Sequence, residues 1–186
     1  MRTLGPRLAA GLIAAGLLLS GCGGSPEPSP PPKPSKSSSP SASATPTPPV
    51  LPEAANARTD AAVESFARYY VDLINFATTS GSREGLDTFA SDACTSCRRL
   101  STRLEQIYGA GGSIASEGWR VTAVDVVPDQ PLRRKYVDLA IVQSPQILIE
   151  KAGAAPKRFP GGKQTLTMLV ARRGSSWVVT RMSLAG

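Results

Sequence analysis

The residues of this chain best suited to chemistry are its three cysteines, two of which form a Cys-x-x-Cys motif. Cys94 and Cys97 lie near the start of a predicted helix. Such a pair can form a structural disulfide, act as a redox centre or supply two ligands to a metal. The pair does not follow the strand of a βαβ unit, as a thioredoxin-like motif does, and the sequence has no histidine and no second cysteine pair. A structural disulfide is therefore predicted, redox activity is the alternative, and no metal or cofactor is expected.

The third cysteine, Cys22, ends an N-terminal segment with the three parts of a secretory signal. A short basic region precedes an apolar run over residues 8–19, which as a helix is about 18 Å long and too short to span a hydrocarbon core of about 30 Å. The tetrapeptide Leu19-Ser20-Gly21-Cys22 resembles the lipobox of bacterial lipoproteins. The resemblance implies that Cys22 receives a diacylglyceryl group and that residues 1–21 are removed. An ordinary signal peptide with an incidental cysteine is the alternative.

A proline-rich stretch separates Cys22 from the rest of the chain. Eleven of the 17 prolines fall between Pro26 and Pro52, and aromatic residues are absent there. Such a composition cannot bury enough apolar surface to fold, so residues 22–58 are predicted to be a lipidated cysteine followed by a disordered tether. Residues 59–186 then form one domain on the extracytoplasmic face of the cell membrane, where disulfides are permitted.

The charge of this domain is moderately basic. From Arg58 onward there are 17 basic and 12 acidic residues, a balance of about +5. Lys151, Lys157, Arg158 and Lys163 lie in one stretch without an acidic residue between them. An outward-facing protein is not expected to bind nucleic acid. A solvated hairpin is the favoured interpretation of this stretch. The alternative is a long basic loop that contacts an anionic polymer, lipid headgroups or an envelope protein.

Helices precede strands in the domain. Thr59 is a predicted N-cap, and apolar residues at helical spacing follow it to residue 77; further helices are predicted over about 83–90 and 92–108. Alternating patterns then predict four strands, with a bulge between Ala123 and Val124, an edge position or kink at Pro145 and a hairpin at residues 173–175. This order predicts the α+β class, with N-terminal helices packed on a curved antiparallel sheet.

Three helices followed by a curved antiparallel meander resemble the nuclear-transport-factor-2-like, or cystatin-like, cone fold. Local sequence also resembles uncharacterised actinobacterial lipoproteins that carry a domain of unknown function. The residues that carry this likeness are the run 64–75, the motif Cys94-Thr95-Ser96-Cys97, residues 107–112 and Trp119. The resemblance implies the fold and the location, and it supplies no activity.

Tyrosines near predicted apolar faces are the candidates for a pocket. Tyr69, Tyr70 and Tyr136 are accompanied by Asp72 and Asp138. Ketosteroid isomerases of the cone fold use an aspartate base and a tyrosine donor in a hydrophobic cavity. The residues here do not match those catalytic positions, and Asp138 alternates out of phase with its apolar neighbours. We therefore assign no catalytic residue and expect the tyrosines to be core rings, with a ligand pocket as the alternative.

The leading functional prediction is a non-catalytic module that binds an envelope partner or a ligand. The alternative is an enzyme of the isomerase or hydrolase type that uses the interior of the cone. A hydrophobic cavity with an ionisable group at its base favours the enzyme or a small ligand. A filled cone with an exposed apolar or basic patch favours a protein partner.

Overall fold

The first helix shows how local sequence sets the fold of this chain, for which a computed structural model describes residues 47–185. The predicted signal segment, Cys22 and the linker up to residue 46 lie outside the described residues. The helix α1 (Asp60–Ser80) begins after Thr59, whose hydroxyl accepts a hydrogen bond from the Ala62 amide at 3.2 Å. It ends at Gly81, which adopts φ 77°.

Two shorter helices complete the helical layer. A 3₁₀ turn (Glu53–Asn56) precedes α1, and α2 (Glu84–Thr88) and α3 (Thr95–Gly109) follow it. The Ser101 hydroxyl accepts a hydrogen bond from Arg83 at 2.9 Å and donates one to Asp87 Oδ1 at 2.7 Å, which ties α3 to α2. The helix boundaries predicted from sequence were therefore accurate to within a few residues.

The strands that follow are all antiparallel and form two sheets. Their bounds are β1 (Ser113–Ser116), β2 (Trp119–Val126), β3 (Arg134–Gln143), β4 (Gln146–Ile149), β5 (Lys157–Phe159), β6 (Gly162–Arg173) and β7 (Ser176–Ala185). One sheet has the order β2-β3-β6-β7 and the other the order β1-β4-β5. The register shift between Val121 and Ala123 shows that β2 has a bulge, slightly earlier in the strand than predicted, and Gly174 at φ 64° lies in the predicted β6–β7 hairpin.

A common line of bends joins the two sheets. Residues 117–118, 144–145 and 160–161 each separate a strand of one sheet from a strand of the other, namely β1 from β2, β3 from β4 and β5 from β6. These strands lie in the same order in both sheets, so the three bends lie side by side. Pro145 marks a kink in a central strand, because a proline cannot donate to the ladder. At Gly161 a Cβ atom would lie 2.2 Å from the Gln143 carbonyl oxygen, so only glycine allows this approach. The bends curve the sheet around the helices, which confirms the predicted α+β cone.

The sequence prediction missed two short strands, β1 and β5. Both are three or four residues long and are flanked by glycine or proline, so they carry no clear alternation. Their omission matters for the basic stretch. Residues 151–163 were expected to form one long loop, but β5 and the start of β6 occupy residues 157–159 and 162–163.

A side-chain amide on α1 holds the edge of the sheet at the bend. Asn75 donates from Nδ2 to the Trp119 carbonyl oxygen at 2.9 Å and accepts from the Trp119 amide at 2.7 Å. Gly118 precedes this pair at φ 86°, and a Cβ there would lie 2.7 Å from the Asn75 side chain. Asn75 thus pairs the backbone amide and carbonyl of Trp119 at the edge of β2, where the described residues form no neighbouring strand.

Candidate functional site

The interior of the cone is filled by side chains. Phe66 and Tyr70 of α1 pack against Leu139, Leu166 and Met168 of the concave sheet face, and each is at most 1% exposed. Neither Tyr69 nor Tyr70 lines any of the main clefts on the described part of the chain. The helices therefore cover a packed core at this place, where an enzyme of this shape would need a cavity.

The environment of the two adjacent tyrosines is apolar. The Tyr69 ring lies edge-on to Phe89 with centroids 5.3 Å apart, and Tyr70 lies 6.2 Å from Phe66. Burial raises the pKa of both phenols above the usual value, and the nearby Asp87 charge adds to the effect at Tyr70. Within the described residues the buried Tyr70 hydroxyl has no hydrogen-bond partner. Both rings are thus core rings, as predicted, but the hydroxyl of Tyr70 is not paired with any of the described residues.

Tyr136 does not join the other two tyrosines. It lies between the buried residues Lys135 and Val137 on β3 and is 37% exposed, so it occupies the outer face of the sheet. Asp138 shares that face and accepts a hydrogen bond from the Thr167 hydroxyl at 2.5 Å. A pocket composed of Tyr69, Tyr70 and Tyr136 is therefore excluded, because the sheet separates them.

The Cys-x-x-Cys pair is a disulfide in the structure, with Cα atoms 5.3 Å apart. Both cysteines are buried at the start of α3, and the Cys97 amide donates to Cys94 Sγ at 3.3 Å. Between them, Ser96 donates from Oγ to the Met182 carbonyl oxygen at 2.6 Å and accepts from the Met182 amide at 3.3 Å. The disulfide therefore braces the first turn of α3, which Ser96 links by hydrogen bonds to the edge strand β7. Its burial, at most 4% exposed, does not suit exchange with an external thiol.

The basic stretch does not form one patch. Lys157 and Arg158 are successive residues of β5 and point to opposite faces, whereas Lys151 precedes the strand and Lys163 follows the bend. Glu150, just before the stretch, accepts from Lys157 and from Arg103 at 2.6 Å each. These hydrogen bonds hold the pKa of the Glu150 carboxyl below its usual value. Lys157 is thus paired with an acid that lies just outside the stretch from Lys151 to Lys163.

A different group of basic residues comes together at the end of the domain where the linker enters. Arg58, Leu132, Arg133, Arg172 and Gly174 line a cleft of about 480 Å³, which we call the arginine cleft. The Arg172 amide donates to the Arg133 carbonyl oxygen at 3.0 Å, so strand pairing places two of the guanidinium groups side by side. The sequence signal was a pair of Arg-Arg dipeptides at 133–134 and 172–173, and it had no meaning without the β3–β6 register.

Arg172 makes more side-chain contacts than the other arginines of the arginine cleft within the described residues. It donates to the Asn56 carbonyl oxygen at 3.2 Å and to the Gly174 carbonyl oxygen at 3.4 Å. Its guanidinium lies 5.1 Å from the ring centroid of Trp177, whose indole nitrogen donates to the Ala57 carbonyl oxygen at 3.1 Å. These contacts hold the last linker residues, Arg172 and Trp177 in one assembly.

Two other kinds of site were sought among residues 47–185. No group of three or more potential metal ligands occurs there. None of the helices formed by these residues has the length and apolar character needed to cross a membrane.

The chain belongs to a family of unknown function (DUF6318), whose sequence pattern matches residues 33–183. No curated protein matches the sequence significantly. Among the solved structures similar to this chain, one is described as having a cystatin-like fold and another carries NTF2 in its name.

Three solved structures illustrate this similarity. The intermembrane space region of chloroplast protein ARC6 has 15% identity and a TM-score of 0.49, over 67% of this chain and 95% of that one. An uncharacterised protein with a cystatin-like fold from Caulobacter vibrioides has 10% identity and a TM-score of 0.46, over 70% and 92%. A chain named Rd1NTF2_05 has 10% identity and a TM-score of 0.40, over 66% and 99%.

Proposed function

We propose that this chain is a lipid-anchored extracytoplasmic module that binds an envelope partner through its exterior and performs no catalysis. The observation that supports this proposal is the filled interior of the cone. A small ligand or substrate would need space between α1 and the concave sheet face, where Tyr70 and Met168 are fully buried. The exterior is therefore the surface left for recognition.

The dense packing of the described residues between α1 and the concave sheet face also weighs against the alternative of a cone-pocket enzyme. General acid–base catalysis needs a titratable group within hydrogen-bond reach of a bound substrate. The hydroxyl of Tyr70 is enclosed by the core, and the burial that raises its pKa also separates it from solvent. An enclosed phenol is not placed to exchange a proton with a substrate.

The proposed location depends on Cys22 and the linker. Each buried methylene contributes about 0.8 kcal/mol, and two acyl chains are enough for stable membrane attachment. A proline-rich linker of this length would allow the domain to act some distance from the membrane. The partner is then an envelope protein or an anionic polymer within that reach.

The anchor is tested by metabolic labelling with a radioactive fatty acid. The wild-type chain should carry the label, Cys22→Ser should not, and the double variant Cys94→Ala/Cys97→Ala should retain it as a matched cysteine control. Label on Cys22→Ser, or its absence from the wild type, would contradict the anchor.

Binding is tested by chemical crosslinking on intact cells followed by purification of the full chain. We expect a partner that is captured reproducibly, and we expect its capture to be lost when exposed residues are substituted in a chain whose core is unchanged. A small metabolite that raises the thermal midpoint without any copurifying partner would instead support a pocket.

A further inference from the structure

We propose that the arginine cleft binds a phosphate group that carries more than one negative charge. The lining contains three guanidinium groups and no carboxylate. Arginine presents several N–H donors in a planar fork that matches two oxygens of a phosphate at once. Three such groups around one cleft are suited to an anion with several acceptor oxygens.

The charge of the arginine cleft is uncompensated by the domain. Elsewhere arginines pair with acids, as Arg68 does with Glu64 at 2.9 Å and Arg83 with Glu105 at 3.2 Å. Over residues 47–185 no salt bridge involves Arg58, Arg133 or Arg172. Like charges held close together repel one another, and the attraction of each arginine to an anion in the cleft would offset that repulsion.

The central guanidinium is positioned before any ligand arrives. Arginine has five N–H donors, and the carbonyl oxygens of Asn56 and Gly174 take two of those on Arg172. Because Trp177 supports the group from one side, little side-chain freedom is left to lose on binding. Arg58 and Arg133 are exposed and make no side-chain hydrogen bond within the described residues, so both can close on a ligand.

The multiple charge favours phosphate over carboxylate. A phosphomonoester carries a charge between about −1.5 and −2 at neutral pH and has three acceptor oxygens, whereas a carboxylate carries −1 and has two. The source is either a soluble phosphate compound or a phospholipid headgroup. The lipid source rests on the proposed anchor, since Arg58 lies at the end of the linker that leads back to Cys22. Phosphate binding itself does not depend on the anchor.

The test uses the full chain purified in a neutral detergent, with thermal unfolding as the readout. One arm adds inorganic pyrophosphate, and the other dopes the micelles with phosphatidic acid, whose headgroup is a phosphomonoester, with phosphatidylcholine as the neutral comparison. At 100 times the dissociation constant we expect a rise in thermal midpoint of about 10 °C. A response to pyrophosphate alone assigns the site to soluble phosphate, and a response to phosphatidic acid alone assigns it to headgroups.

Specificity for the cleft is tested by Arg58→Gln/Arg133→Gln. Loss of two charge-assisted contacts should weaken binding about 100-fold or more. The matched control is Lys151→Gln/Arg181→Gln, which removes the same charge from two exposed residues outside the main clefts and should bind like the wild type. If the first variant does not fold, Arg58→Gln alone provides the comparison. Arg172 is left intact because it also holds Asn56 and Trp177 in place.

Two results would overturn the phosphate site. One is the absence of a saturable shift with either probe at millimolar concentration and physiological salt. The other is an equal loss of anion affinity in the cleft double variant and in the control double variant, which would show that net charge alone attracts the anion. Neither result bears on capture of an envelope partner, so failure of the cleft and failure of the proposed function are distinguishable.

Discussion

Replacing Asn75 should release the edge of the sheet from α1. The side chain makes two hydrogen bonds to the backbone of Trp119, of 2.9 Å and 2.7 Å. At about 1 kcal/mol each, their loss in Asn75→Ala costs about 2 kcal/mol, and the better helix propensity of alanine returns about 0.5 kcal/mol. We expect a net loss of about 1.5 kcal/mol in the free energy of unfolding, measured by urea denaturation.

The matched control is Thr79→Ala, one turn further along the same helix. The Thr79 hydroxyl bonds only to carbonyl oxygens of its own helix, at 3.0 Å and 3.3 Å, so its removal should cost less than about 0.5 kcal/mol. If the two alanine variants unfold at the same urea concentration, the Asn75 bonds do not stabilise the domain and the reasoning is refuted.

Asn75→Asp separates the donor from the acceptor. A carboxylate can still accept from the Trp119 amide, but it faces the Trp119 carbonyl oxygen without a proton to donate. The folded state should therefore favour the protonated acid, which raises the pKa of this new carboxyl above its unfolded value. Stability relative to the wild type should recover by about 1 kcal/mol as the pH falls from 7 to 4 and be lost again as it rises. A pH-independent difference would mean that the carbonyl is bonded to water instead.

Three further perturbations test the core and the braces around it. Cys94→Ala/Cys97→Ala should lower the free energy of unfolding by about 2 kcal/mol in urea, and no change would mean that the disulfide does not restrict the unfolded chain. Tyr70→Phe should raise it by about 1 kcal/mol, because the hydroxyl is buried without a partner, whereas a loss of that size would reveal a missed hydrogen bond. Since burial raises the pKa of Tyr70, the unfolded chain ionises first above pH 10, so wild-type stability should fall there and Tyr70→Phe should fall less steeply by about 1.4 kcal/mol per pH unit. Asp60→Ala should lower the free energy of unfolding by about 2 kcal/mol more than Lys135→Met does, because it leaves the 3%-exposed Lys135 without the carboxylate 2.9 Å away. Equal losses in the two single variants of a double-mutant cycle would contradict this.

Local chemistry determined the helices and most of the strands from the sequence alone. The Thr59 cap, the apolar face of α1 and the glycine at its end act within a few residues of one another, so their pattern is readable without partners. The same holds for the bulge in β2 and the hairpin at Gly174. The disulfide between Cys94 and Cys97 was also predicted from a local spacing, and the structure contains it.

Contacts between distant residues decided the rest. The sequence placed Tyr69, Tyr70 and Tyr136 in one candidate set, but a period of two along β3 and the helix packing put them on opposite sides of the sheet. The pairing of Lys157 with Glu150 depends on the short strand β5, which has too few residues to show a pattern in the sequence.

The sequence by itself determined the class of fold and the order of its elements, because both follow from periodicity or from residues that are near neighbours. Tertiary structure alone decided that the cone is filled and that Arg58, Arg133 and Arg172 share one cleft. Cavities and charge clusters depend on which chain segments pack together, and the β3–β6 register that brings Arg133 next to Arg172 is set by burial of a whole sheet face.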